Sequence, residues 1–231
     1  MSLKDYLATF KPGFDPVLLP EKIRSGLAVI VGVLLMGLAL RFLPQVDYPL
    51  AMLASMAASA ALLYAAPHSP MAQPWPLVGG HLLSALVGWL CSLFIPDPVI
   101  AAALAVGLAV FLMQLTRCLH PSGAATALIM VLSAEQFHHH GWLWMSATVL
   151  ANTLLSLLLA LIINNLIPGR RYPMHHPALP PRTSDCPAEL GVADIEWALT
   201  QMDSVIDVSE EDLLQIYLLA SGKAQDRLKT S

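Results

Sequence analysis

Between Ser25 and Leu166 the chain carries five charged side chains: Arg41, Asp47, Asp97, Arg117 and Glu135. A stretch so poor in charge cannot clothe a water-facing surface, since an ordinary soluble domain has about one charged residue in four. The whole chain, at 56% hydrophobic and 12% charged residues, points the same way. The solvent for this region is a bilayer. The remaining charge is segregated. Residues 185–231 hold ten acids and three bases, whereas 1–184 hold nine bases and six acids, so the formal net charge of −4 averages two unlike parts. No basic footprint for a nucleic acid is present. The opening MSLKDYLATFKPGFDP has no apolar run or small-residue cleavage site, and no cleavable signal peptide is expected.

A helix that crosses the hydrocarbon core needs about 20 mostly apolar residues. Five runs fit: 25–40 with its extension to Leu43, then 48–66, 77–95, 98–116 and 142–167. A sixth, PSGAATALIMVLSA (121–134), is apolar but only 14 residues long, which suits a half-helix or re-entrant segment. The fold class is all-α: a polytopic transmembrane helical bundle with interrupted or short helices and a small helical C-terminal tail. Its expected parts are a cytoplasmic or interfacial segment (1–23), a transmembrane domain (24–168), a proline-rich linker (169–190) and an acidic helical tail (191–231). In the tail, Leu213, Ile216, Tyr217 and Ala220 form an apolar stripe. Lys4, Lys11, Lys22 and Arg24 precede the first run, and Arg170, Arg171 and Arg182 follow the last. The bias of Lys and Arg toward the cytoplasm then places both termini inside with six crossings. If 121–134 dips in and returns, the crossings number five and the C-terminus lies outside. A multi-pass protein of a bacterial inner membrane is expected.

Small residues recur at helical spacing, as Ser55/Ser59, Ala54/Ala58 and Ala101/Ala105/Ala109. Membrane helices associate through close backbone packing, which such residues permit. Two interruptions carry the functional argument. APHSPMAQPWPLVGGH (66–81) contains four prolines and cannot be helical throughout. Helix is expected to restart near Pro76–Gly80, with the backbone at Gly79 and Gly80 accessible and His81 beside it. The second interruption is RCLHPSGAATAL (117–128). Pro121 suits a first helical position, and Ser122, Gly123, Ala124 and Ala125 give a first turn with little bulk. A helix N-terminus has unpaired N–H groups and about half a positive charge, so at membrane depth a small anion is a natural partner. Ser122 and Thr126, four apart, add hydroxyls, and Arg117 would supply a full charge. His120 flanks the break. GGHLLSAL (79–86) weakly parallels SGAATAL (122–128), so the two starts could be halves of one site.

RCLHPSGAATAL also resembles the signature of the HPP family of integral membrane proteins, and SPMAQPWPLVGGHLLSALVG (69–88) resembles that family's second motif. The resemblance covers roughly 20–168. It implies a compact multi-span bundle and, since plastid and cyanobacterial members are associated with nitrite transport, a small anion as substrate. Two positions depart from the pattern. Ser122 stands where a second Pro is expected, and Trp75 stands where relatives often place a basic residue.

The expected function is a transporter or channel for a small inorganic anion, nitrite favoured, bound by Arg117, His120, Pro121, Ser122, Gly123, Ala124, Thr126, Gly79, Gly80 and His81. The alternative is a non-transporting structural or assembly membrane protein. No GxSxG, HExxH or phosphate loop points to an enzyme. No cofactor and no metal is expected, His138-His139-His140 being read as a solvated interfacial loop. The expected partners are a small anion and the lipid bilayer, with a homo-oligomer left open.

Overall fold

The computed structural model describes residues 17–42 and 54–174, together with Leu213 and Tyr217. The N-terminal segment through residue 16, the start of the 48–66 run, and nearly all of the linker and tail lie outside the described residues. Helix α1 spans Leu19–Leu40, α2 Ser55–Ala65, α3 Pro74–Phe94, α4 Pro98–Leu115, α5 Pro121–Leu132 and α6 Ala134–Leu166. A 3-10 turn at Pro70–Ala72 lies between α2 and α3. Apart from the first turn of α1, these helices belong to one unit, Ile23–His176. In the other unit Leu213 and Tyr217 are helical and half-buried.

Helices α1, α3, α4 and α6 are long and apolar enough to cross a bilayer, whereas α2 and α5 have 11 and 12 residues. At a rise of 1.5 Å per residue those two are about 16 and 18 Å long, roughly half of a 30 Å hydrocarbon core. The short run at 121–134 is thus a half-length helix. The described part of the 48–66 run is also short.

Proline sets where helices begin. Each of α3, α4 and α5 opens with Pro in its first turn, where the missing N–H costs nothing. At α4 the Asp97 carboxylate accepts from the amides of Val99 and Ile100, both at 2.9 Å. That is an N-cap, favourable to the helix dipole. The restart expected near Pro76–Gly80 comes earlier, at Pro74, because the 3-10 turn and extended Gln73 already deliver the chain in helical register. Gly79 and Gly80 therefore lie inside the helix. In α6 the backbone breaks at Gly141, whose φ of 82° favours glycine. His138, His139 and His140 lie in the helical turns before this break, not in a loop, and are exposed. No group able to hold a metal is found among the described residues.

Two apolar clusters hold the bundle. One joins α1, α2, α3 and α6 through residues such as Met36, Met56, Leu63, Leu77, Val149 and Ile163. The other joins α3, α4 and α5. In the second, Ala101, Ala105, Ala109 and Met113 form one buried stripe of α4, while Ile100, Leu104, Leu108 and Phe111 on its other sides are exposed. This is the pattern expected where lipid, not water, bathes the outside. Glycine brings backbones together where bulk must vanish. A Cβ on Gly32 would meet the Tyr64 ring, and one on Gly88 would meet the backbone carbonyl oxygen of Ala127.

The end of α2 needs partners, since its last carbonyls have none within the helix. The Leu62 carbonyl accepts from the Ala66 amide. Those of Leu63 and Tyr64 accept from Asn164 Nδ2 at 3.1 Å and Arg170 Nη1 at 2.9 Å. Arg170 is 7% exposed and also donates to Asn164 Oδ1 and Ser25 Oγ. The chain after α6 then straps back: Tyr172 donates its hydroxyl to the Ala72 carbonyl at 2.7 Å, and the Met174 amide donates to Gln73 Oε1 at 2.8 Å. Burial, then the nearby Tyr64, holds the Tyr172 phenol above its ordinary pKa, so it stays a donor.

Two pairs of outcomes are expected from thermal or denaturant unfolding in detergent. Gly88→Ala should lose about 1–3 kcal/mol, because its methyl meets backbone that cannot step aside. Gly107→Ala, with no atom within 4 Å of the new methyl, should be neutral or gain up to about 1 kcal/mol. Arg170→Met should cost about 2 kcal/mol or more, since buried carbonyls lose a charged donor. The same change at exposed Arg171 should cost little.

Candidate functional site

Three helices bring polar side chains to one place in the apolar interior. On α2, Ser55 and Ser59 are one turn apart and both buried, while Ala54 and Ala58 face outward. On α5, Ser122 and Thr126 repeat that spacing. From α3, about two turns after Pro74, comes His81. His120 is the extended residue before α5, with φ −133° and ψ 112°. His81, His120, Ser59 and Thr126 have no exposed surface, and Ser55 and Ser122 have 1% and 4%.

Their hydrogen bonds form one network. Ser59 Oγ lies 2.9 Å from His81 Nε2, 3.0 Å from His120 Nε2 and 2.6 Å from Ser122 Oγ. His81 Nδ1 lies 2.6 Å from Thr126 Oγ1, which is 2.8 Å from Ser55 Oγ. Ser122 Oγ is also 3.3 Å from His81 Nε2. The imidazole centroids are 5.1 Å apart, edge to face. One more contact orders the hydrogens. His120 Nδ1 is 2.8 Å from the Met71 carbonyl oxygen. A carbonyl only accepts, so Nδ1 carries the proton and Nε2 of the neutral ring is an acceptor. Ser59 then donates to His120, leaving its oxygen to accept from the Ser122 hydroxyl. Thr126 Oγ1 donates to Ser55 Oγ and so accepts from His81 Nδ1–H, which leaves His81 Nε2 an acceptor. The Ser122 hydroxyl is shared between Ser59 Oγ and His81 Nε2, 3.3 Å away, so with both rings neutral every member has a partner, as buried polar groups require.

The Met71 carbonyl is itself held in place. The Met71 amide donates to Ser69 Oγ, and Gln73 Nε2 donates to the carbonyls of Pro67 and Ser69. Thus the proline-rich interruption sets the orientation of His120, forty-nine residues later in the chain.

The structure gathers His81, His120, Ser122 and Thr126 from the residues singled out in the sequence, and separates others from them. Gly79 and Gly80 are covered: Cys118 packs on the first, and the His120 Cβ and Cys118 carbonyl on the second. Their smallness lets residues 118–120 lie directly on α3, which puts His120 beside His81. Gly123 is likewise enclosed, with the Gly80 carbonyl oxygen and Met113 Sδ both 3.0 Å, and Ser84 Oγ 3.1 Å, from where a Cβ would be. Pro121 is exposed and Ala124 half-buried. Arg117 is exposed and outside the network. It has φ 55°, the amide of Cys118 bonds the Met113 carbonyl, and its own amide bonds that of Gln114. This is a Schellman end to α4, with Arg117 in the left-handed position. Trp75 donates from Nε1 to the Thr116 carbonyl at the same helix end. Three participants lie outside the site residues that the sequence marks: Ser59 and Ser55, hydroxyls one turn apart whose spacing reads as packing, and the Met71 carbonyl, which has no sequence signal.

These features define a polytopic α-helical membrane protein with a buried imidazole–hydroxyl cluster between α2, the half-length α5 and the full-span α3. The chain belongs to the HPP family: the model of its transmembrane region matches residues 15–173. Two transmembrane proteins of Dictyostelium discoideum are similar. One is 38% identical over 74% of this chain and 62% of its own length, the other 40% identical over 65% of this chain and 49% of its own. The aligned region thus spans about half to three-fifths of those relatives. No solved structure matches.

Because Arg117 holds a conformation that favours glycine, Arg117→Gly should raise unfolding stability in detergent by about 1 kcal/mol. Arg117→Val should lower it. A melting temperature that falls with glycine would show that the guanidinium has a structural role.

Proposed function

We propose that this protein is a transporter or channel for a small inorganic anion, with nitrite first among the candidates, in a bacterial inner membrane. The observation that carries the reading is the cluster of His81, His120, Ser59, Ser122 and Thr126, wholly enclosed in an apolar helical domain. Ionisable side chains inside a membrane domain are costly and typically mark a solute path. Short helices that start at such a site are a recurrent transporter device. The hydroxyls and imidazole N–H groups are donors of the kind a small anion needs. The choice of nitrite rests on family resemblance alone. Arg117, at the exposed turn leading into α5, would draw an anion toward that end of the helix, not bind it.

The arrangement is closed. Its polar atoms satisfy one another and Gly123 is enclosed by protein, so a guest has to displace the Ser59–Ser122 and Ser59–His120 contacts. That self-sufficiency also supports a second reading, in which the cluster only fastens α2, α3 and α5 together in a structural or assembly protein.

Flux across proteoliposomes of the purified chain separates the two. Nitrite, nitrate, formate and chloride should be compared with potassium and with protein-free vesicles. Transport of at least one anion is expected, with Ser59→Ala and His81→Gln lowering it tenfold or more (about 1.4 kcal/mol). Arg117→Ala should change the rate less than about threefold at saturating anion. No anion flux, with Ser59→Ala reducing only thermal stability, would leave the fastening role.

A further inference from the structure

We propose that the anion moves together with one proton, taken up by the His81–His120 pair, so that no net charge crosses. This rests on the anion-transport reading above and adds the coupling to it.

The cluster lacks a charge of its own. The cluster consists of Ser55, Ser59, His81, His120, Ser122 and Thr126, none of which is a fixed cation. Neither ring has a charged partner among the described residues. The titratable groups on the elements around them are otherwise engaged. The Tyr64 ring of α2 lies against Gly32, and Cys118, between α4 and α5, packs on Gly79. Arg170, beyond α6, is committed to the Tyr64 carbonyl, Asn164 and Ser25. The buried polar residues of α6, Thr148, Asn152, Thr153, Ser156 and Asn164, are uncharged. Arg117 is exposed. An anion entering alone would be an unpaired charge in an apolar interior, which is strongly unfavourable. The only cluster side chain able to become its counter-ion is an imidazole.

Hydrogen-bond polarity shows where the proton binds. His120 Nδ1 is committed to the Met71 carbonyl, so its open lone pair is at Nε2, 3.0 Å from Ser59 Oγ. When a proton arrives there, an N–H bond forms and the ring becomes cationic. Ser59 can no longer donate to it and turns its hydrogen elsewhere. The cationic His120 then stands among neutral neighbours, and an anion is the counter-charge the junction lacks. With centroids 5.1 Å apart, both rings do not carry charge together. On release the Nε2–H bond breaks, and proton and anion leave on the same side. The cluster returns to its neutral, self-satisfied order. Each cycle moves one anion and one proton in the same direction.

The test uses proteoliposomes with potassium and valinomycin to set voltage independently of pH, and nitrite, formate, nitrate and chloride as probes. Flux through protein-free vesicles is subtracted, since nitrous and formic acids cross lipid unaided. At zero voltage, an outside more acidic by about one pH unit should accumulate the transported anion up to about tenfold. A trapped pH dye should report protons entering with it one for one. Voltage without a pH gradient should drive no accumulation. His120→Gln should abolish the accumulation driven by pH. His120→Asn, whose amide can still donate to the Met71 carbonyl, should do the same while remaining folded by gel filtration and thermal melt. Flux that follows voltage and ignores the pH gradient would overturn the coupling and leave anion transport standing. No flux of any probe would overturn both.

Discussion

A polar atom in the interior of a bilayer protein has no water to fall back on, and here that constraint converges on one oxygen. Ser59 Oγ lies within hydrogen-bond reach of two imidazoles and a second hydroxyl, contributed by α3, α5 and the residue before α5. A hydroxyl donates once, so Ser59 serves one imidazole Nε2 at a time and the other turns to Ser122. Much of the bundle can be understood as geometry in its service. The glycines of α3 let residues 118–120 lie close, the prolines start the helices where they must, and the 3-10 turn offers its carbonyl to His120. Truncating Ser59 would strand several partners at once, which is why such networks weigh more than their separate bonds.

The broad architecture was readable because the solvent imposes it. Runs of apolar residues give the long helices, and Pro121 before small residues gives the short one. His81, His120, Ser122 and Thr126 were visible because polar groups stand out in an apolar background. Two kinds of information were not. Arg117 seemed suited to an intramembrane charge from its place three residues before His120. Its direction depends on a left-handed backbone angle that puts the side chain outside the network, and nothing in the residue type signals that turn. Gly79 and Gly80 seemed to bare a helix start, but smallness has two uses. Here it admits a neighbouring backbone, and only a contact between segments forty residues apart decides which use applies. The serines of α2 illustrate the same ambiguity, since a small hydroxyl at helical spacing fits packing and chemistry equally.

The segment after α6 has a share in the same design. Arg170 and Asn164 finish α2, and Tyr172 and Met174 tie onto Ala72 and Gln73, the two residues that follow Met71. The break between α2 and α3 is therefore held from two directions, by its own glutamine and by the strap.

Helix α5 carries an implication for how the protein is made. Its 12 residues are too few to partition across a membrane on their own, and only Ser133 separates it from α6. Until α2 and α3 are alongside, its hydroxyls have no partner on another helix. The long spans have to be in place first, and the seating of this short coil is a late event in biogenesis. A chain halted before that event exposes polar surface to lipid and becomes a natural target for membrane quality control.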